Sequence, residues 1–276
     1  MTAVLLALGS AFCFGSMTVA VRLGLRGGAA AETALATMLP ALVVCLVGAA
    51  VRLDVHGAWP FLLAGLLAPG GSQILFTLAL REIGSSRTSV TVGAAPLVAV
   101  TVAILFLDEP LRLPLALGAV LVVGGGVLLA SERRRPEHLR TLGYAFAASA
   151  CVLFAVRDDL VRALHGHASP ETAAAATMLA GSAVAALWTR RLPGRAELRR
   201  FSPAGMLFGL SYLGLFEAYY RGRVSVVSPL VATESLWGVA LSALLVRHAE
   251  GVGRRLALGA VLVVAGGALI GATASG

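Results

Sequence analysis

Five ionisable residues stand inside long apolar runs: Arg157, Asp158 and Asp159 in one, and Glu217 and Glu234 in two others. At bilayer depth such groups cost a few kcal/mol each on insertion scales, so they need a partner or a task. Carboxylates in that setting can hold a cationic group or exchange a proton. Glu234 lies at the centre of its run. Arg157 to Asp159 lie about 7–10 Å past the middle of theirs at 1.5 Å per residue, and Glu217 lies at a matching depth. The shared depth predicts a pair between Arg157 and a carboxylate, Glu217 included, with excess negative charge beside it. Trp237 is one turn from Glu234 on the same face and can form an apolar or cation–π wall. Ser16 and Gln73, polar groups in two further runs, complete the expected substrate-binding set. The bland alternatives are snorkelling of Arg157 and its acids to an interface, a neutral hydrogen-bonded Glu234, and helix packing by Ser16 and Gln73.

The runs holding these residues are membrane elements. Hydrophobic residues make up 58% of the 276 and charged residues only 13%, about half the share in a soluble domain. The net charge of +8 invites comparison with nucleic-acid binders. Here, however, the cations are all arginines, and most lie in short gaps between apolar runs, where they anchor membrane edges. Cys13, Cys45 and Cys151 sit inside apolar runs without a CxxC pattern, so neither a disulfide frame nor a zinc site is expected. The five histidines fall in loops; His165 and His167 form at most a weak metal-like grouping beside Asp158 and Asp159. No Walker A pattern is present. No cofactor, metal or catalytic set is expected, and the chain does not read as an enzyme.

The chain is written twice. Leu115 to Leu129, LALGAVLVVGGGVLL, returns 141 residues later as LALGAVLVVAGGALI, Leu256 to Ile270. ATML recurs at Ala36 and Ala176, and Phe14, Val21-Arg22 and Glu109 are matched by Phe154, Val161-Arg162 and Glu250. The apolar run from Thr2 resembles a signal peptide but lacks a basic n-region, and its copy at Thr141 to Arg162 marks it as a structural helix. Runs of about 20 apolar residues, the length that crosses a bilayer, fall near 2–22, 31–51, 58–80, 88–107 and 113–131. The second copy holds 141–163, 171–189, 203–221, 225–246 and 255–274. The expected fold is therefore an all-α integral membrane protein. Its ten transmembrane helices form two five-helix repeats, residues 1–135 and 136–276. An odd number per half makes the repeats inverted, an architecture that lets a midplane site face each side in turn.

Small residues repeat every seventh position, Gly118 with Gly125 and Gly259 with Gly266, which gives spans five and ten smooth stripes for close packing. Pro40, Pro69-Gly70-Gly71 and Pro96 predict breaks in spans two, three and four. Glu109 and Glu250 precede spans five and ten, where a carboxylate favours a helix N-terminus. The triplet Arg157-Asp158-Asp159 is matched in the first copy by neutral Met17, Thr18 and Val19. A requirement of the fold alone should appear in both copies, so the asymmetry points to ligand chemistry.

The whole chain resembles the drug/metabolite transporter superfamily and its EamA-type members. Phe14 to Gly24, FGSMTVAVRLG, looks like the family's aromatic, Gly-Ser and Val/Ile-Arg pattern. Pro96 followed by Glu109 and a Gly-rich helix is similar to the end of the family's repeat. Asp108 and Trp237 depart from it, standing where the family has Gly and where the second copy should repeat Pro96. The resemblance implies packing of spans five and ten on each other, away from the substrate path. It also implies secondary transport of small metabolites, with export expected, and the acidic midplane residues point to cationic or zwitterionic compounds such as amino acids or drugs. The expected partners are a small-molecule substrate, the lipid bilayer and candidate coupling protons, in a multi-pass monomer or homodimer of the cell membrane. A membrane enzyme and a non-transporting scaffold or channel are the alternatives. Arginine placement, by the positive-inside rule, puts both termini outside, whereas the resemblance implies cytoplasmic termini.

Overall fold

The computed structural model describes residues 1–25, 33–52, 57–83, 91–92, 94–110, 112–130, 141–245 and 254–274. The expected boundary at 135/136, Glu250, and the loop arginines Arg26, Arg87, Arg133 to Arg135, Arg140 and Arg247 lie outside the described residues. Among the described residues the secondary structure is helical throughout. The first half comprises α1 (Thr2–Leu25), α2 (Thr33–Arg52), α3 (Trp59–Gly65), a π-helical segment (Leu66–Gly71), α4 (Ser72–Ile83), α5 (Ala95–Phe106) and α6 (Leu113–Ala130). The second comprises α7 (Thr141–Ala163), α8 (Pro170–Thr189), α9 (Arg195–Arg221), α10 (Val224–Val231), α11 (Glu234–Leu245) and α12 (Arg254–Ala274). These elements make the ten spans. Spans three and nine are each assembled from two helices.

Among the described residues, four stretches are long and apolar enough on their own to cross a bilayer: Thr2–Val21, Ala34–Val51, Trp59–Phe76 and Pro170–Thr189.

The two halves interlock about a pseudo-two-fold axis. A Cβ added to Gly65 would lie 2.3 Å from the carbonyl oxygen of Thr177, and one added to Gly205 would lie 2.5 Å from that of Thr37. Gly65 and Gly205 are 140 residues apart, as are Thr37 and Thr177. The same backbone-to-backbone contact is thus made twice, with the halves exchanging roles. Spans five and ten obey the same operation. Gly118 packs against Gly266 and Ile270 in α12, and Gly125 against Gly259 and Val263. The ascending order on one helix and descending order on the other make the pair antiparallel, as inverted repeats require. Without a hydrophobic drive between helices in lipid, such close van der Waals approach holds them together.

The proline expectations divide. In span three the break is real: Ala68, at φ −145 and ψ 123, is extended inside the helical run, just before Pro69. In span two α2 continues through Pro40, whose ring packs on Gly205 of α9. In span four Pro96 stands in the first turn of α5, where a missing N–H costs nothing. It starts that helix instead of kinking it.

Span nine corrects the sequence reading most. The run 225–246 is two helices, separated at Ala232 and Thr233. Pro229 removes one backbone donor inside α10, and the Thr233 hydroxyl donates to the Leu230 carbonyl at 2.6 Å. A side chain competing for backbone acceptors in this way favours a turn over helix continuation. Glu234 consequently opens α11.

Candidate functional site

Span six brings Arg157, Asp158 and Asp159 into the protein interior at 7%, 6% and 5% exposure. They do not snorkel to an interface. Arg157 pairs with its own neighbour: Nε donates to Asp158 Oδ1 at 2.8 Å, and Nη2 lies 2.6 Å from the same oxygen. Its Nη1 donates to the Tyr212 hydroxyl at 2.7 Å. The guanidinium also lies 5.3 Å from the ring centre of Tyr212 and 5.7 Å from that of Phe154, within cation–π range. Asp158 is held from its other side. The Tyr219 hydroxyl donates to Oδ2 at 2.6 Å, and Ser228 Oγ approaches the same atom at 3.4 Å. One ion pair is thereby fixed by α7, α9 and α10. In low dielectric a pair of this kind is tolerable only when its remaining donors and acceptors are satisfied.

Glu217 is not part of this network. It pairs with Arg221, one turn later on α9, through both Nε and Nη2 of the arginine. The reason is local: residues i and i+4 on a helix face each other, whereas Arg157 already has an acid beside it. Asp158, not Glu217, is the expected carboxylate partner.

Asp159 differs from its neighbours. Neither of its carboxylate oxygens touches solvent or a hydrogen-bond donor. Glu234, half-buried at the N-terminus of α11, lies within electrostatic reach of Arg157 and Asp158. The helix dipole favours a negative group there, and among the described residues no hydrogen bond to its carboxylate is found. Trp237 follows on the same face, its ring edge-to-face with Phe12 of α1 at 5.2 Å. This wall is seated by Gly15: a Cβ there would meet the Glu234 carbonyl oxygen at 2.7 Å and the Gly238 nitrogen at 2.8 Å.

Ser16 lies one turn from Phe12 and donates to the Phe12 carbonyl at 2.7 Å, so its hydroxyl is already used within its helix. Gln73 is half-buried near the start of α4 and is engaged in a polar contact. Glu109 is a correction. Its carboxylate accepts from the Val224 N–H at 2.7 Å and the Ser225 N–H at 2.9 Å. It therefore caps α10 of span nine and not the helix that follows it in sequence. His165 and His167 each lean on a carbonyl of their own turn, Arg162 and Leu164.

Sequence reasoning missed Tyr212, Tyr219 and Ser228. A signal was present: three of the chain's four tyrosines lie in the second half of α9, and Tyr212 and Tyr219 are two turns apart on one face. It missed too the reciprocal serine pair between α1 and α9. Ser10 Oγ donates to the Ser211 carbonyl at 2.8 Å, and Ser211 Oγ to the Ser10 carbonyl at 3.0 Å.

The arrangement offers a neutralised ion pair, two carboxylates without hydrogen-bond donors nearby, and two broken spans whose freed backbone groups can line a cavity. Comparison with known proteins follows the same lines. The family model described as the EamA-like transporter family matches residues 1–131 and 141–272. A solved structure described only as the crystal structure of a protein superposes with a TM-score of 0.85 over 99% of this chain and 96% of that one. At 19% identity that likeness concerns the fold alone. No curated protein matches the chain.

Proposed function

The chain belongs to the EamA-like transporter family, whose members are membrane transporters of small molecules, and on that premise we propose a secondary exporter of cationic or zwitterionic metabolites, of the amino-acid or drug class, in the cell membrane. The observation that carries this reading is Glu234. It is a carboxylate at a helix break in the middle of a span, without a hydrogen-bond donor among the described residues and beside an arginine that Asp158 already neutralises. A cationic group placed there would meet uncompensated negative charge in a low-dielectric setting, where the attraction is far stronger than in water. Trp237 and Phe12 supply an apolar and aromatic surface next to it, suited to a cation that also carries hydrocarbon.

Motion follows from the repeats. Glu109 ties the end of span four to the start of α10 on one side of the membrane. The Gly65–Thr177 and Gly205–Thr37 contacts give each half an equivalent surface on which to rock. The site at the junction between halves would then open to either side by exchange of two similar arrangements. A proton competing with the substrate cation for Glu234 would couple the two fluxes.

Purified protein in vesicles, assayed for uptake and efflux of a panel of amino acids and cationic drugs with and without a pH gradient, tests the proposal. Flux of at least one cationic or zwitterionic compound is expected. Glu234→Gln should reduce it to background while membrane insertion is unchanged. Undiminished flux in that variant removes Glu234 from the site.

A further inference from the structure

The Arg157–Asp158 pair is closed on itself, yet Asp159 beside it has nothing. Both its oxygens are enclosed, neither accepts a hydrogen bond from the described residues, and the residue is 5% exposed. An ionised carboxylate left so is among the costliest states a protein interior can hold, and a neutral carboxyl is far cheaper. Asp158 and Glu109 are the carboxylates acting on it electrostatically. The positive charge that could compensate, Arg157, is committed to Asp158 and Tyr212.

A crevice open to water comes within one helical turn of Asp159. Ala163 is one turn further along α7 on the same face, and it lines a crevice of about 280 Å³ together with Asp108, Glu109, Arg162, His165 and Arg223. Both acidic and basic side chains line the crevice, and it lies at the end of span six reached by the turn between α5 and α6. A water proton delivered there is one helical turn from an enclosed carboxylate.

We propose that Asp159 is a proton-binding site, loaded through this crevice and distinct from the Arg157–Asp158 pair. The step is a simple exchange: the carboxylate takes a proton from crevice water to become a neutral carboxyl, and returns it when the charge is stabilised. Its role as the seat of a coupling proton rests on the transporter reading above, whereas the protonation itself does not. The charged and titratable groups around it are Arg157, Asp158 and Arg162 on α7, Glu109 and Asp108 on the α5–α6 turn, Arg223 before α10, Tyr212 and Tyr219 on α9, and His165. Helix α5 has no ionisable residue, and Glu82 of α4 lies at that helix's opposite end.

Infrared spectroscopy of the full chain in phosphatidylethanolamine–phosphatidylglycerol vesicles tests this without any substrate. Over about pH 5 to 10, a range that brackets buried carboxyls, the wild type should show a neutral-carboxyl carbonyl band that disappears as the pH rises. Asp159→Asn should lack that component, and Asp159→Glu should retain it at a shifted position. An unchanged titrating band in Asp159→Asn overturns the proposal. Should that variant fail to fold, Glu234→Gln decides: it must keep a titrating carboxyl band, and complete loss there also overturns the assignment. A protein that shows the band yet moves no cationic compound would refute the transport reading and leave Asp159 standing.

Discussion

Spans one and six are copies, and they solve the same position in opposite ways. Span one puts Met17, Thr18 and Val19 where span six puts Arg157, Asp158 and Asp159. Met17 and Val19 are buried like their charged counterparts, so the site can be filled by hydrocarbon within this architecture. The partners differ in step. Tyr212 and Tyr219 of span eight correspond to Ser72 and Ala79 of span three, and both of those are buried without a charge to serve. A whole network of arginine, aspartate and tyrosines has been placed in one copy of a repeat that folds without it in the other. The backbone contacts at Gly65, Gly205, Gly118 and Gly266 are shared between copies, and the ionic network is not. On the function proposed above, the shared contacts serve the bilayer and the motion, and the unshared ones serve the ligand.

The largest effect should come from splitting the ion pair. Arg157→Met leaves Asp158 buried and uncompensated and should cost about 3–5 kcal/mol, read as loss of folded protein in denaturant titrations in micelles. Combining it with Asp158→Thr, which copies span one, should recover most of that loss. A double variant as unstable as the single one would show that the two copies are not interchangeable here. Next is the shared scaffold. Gly125→Ala puts a methyl 2.6 Å from the Gly259 carbonyl oxygen, and Gly266→Ala puts one 2.6 Å from that of Gly118. Each should destabilise by about 1–3 kcal/mol and by similar amounts, while Gly124→Ala, with nothing within 4 Å, should be neutral. Unequal costs at Gly125 and Gly266 would break the two-fold account. Tyr219→Phe removes one donor to Asp158 and should cost about 1.5–3 kcal/mol, as for a hydrogen bond to a charged group, with no equivalent effect from substitutions at Ala79. Ser10→Ala is the mildest, about 0.6 kcal/mol as for other interhelical hydrogen bonds in membranes.

Much of this was legible in residues alone. The repeat and the ten spans follow from the internal echo and apolar run length, the break in span three from Pro69-Gly70-Gly71, and the smooth faces of spans five and ten from glycines spaced by two turns. That these two spans pack on each other is what the family resemblance implies. What escaped depends on contacts distant in sequence or on local competition. Arg157 meets Tyr212 55 residues away, and no periodicity reports such a pairing. Glu109 caps a helix that begins 115 residues later, although the nearer helix was the natural expectation. The break at Ala232 and Thr233 carries no glycine; it arises from Pro229 and a threonine hydroxyl, each tolerated in an unbroken helix elsewhere. Glu217 shares the depth of Arg157 yet pairs with Arg221, because depth says nothing of which face a side chain occupies.

The claim that function resides where the copies disagree can be tested by abolishing the disagreement. Arg157→Met, Asp158→Thr and Asp159→Val together give span six the residues of span one. In vesicles assayed with the cationic compound that the wild type moves best, this protein should insert and remain as stable as wild type, yet move none of it. Transport at the wild-type rate by the symmetrised protein would contradict the account.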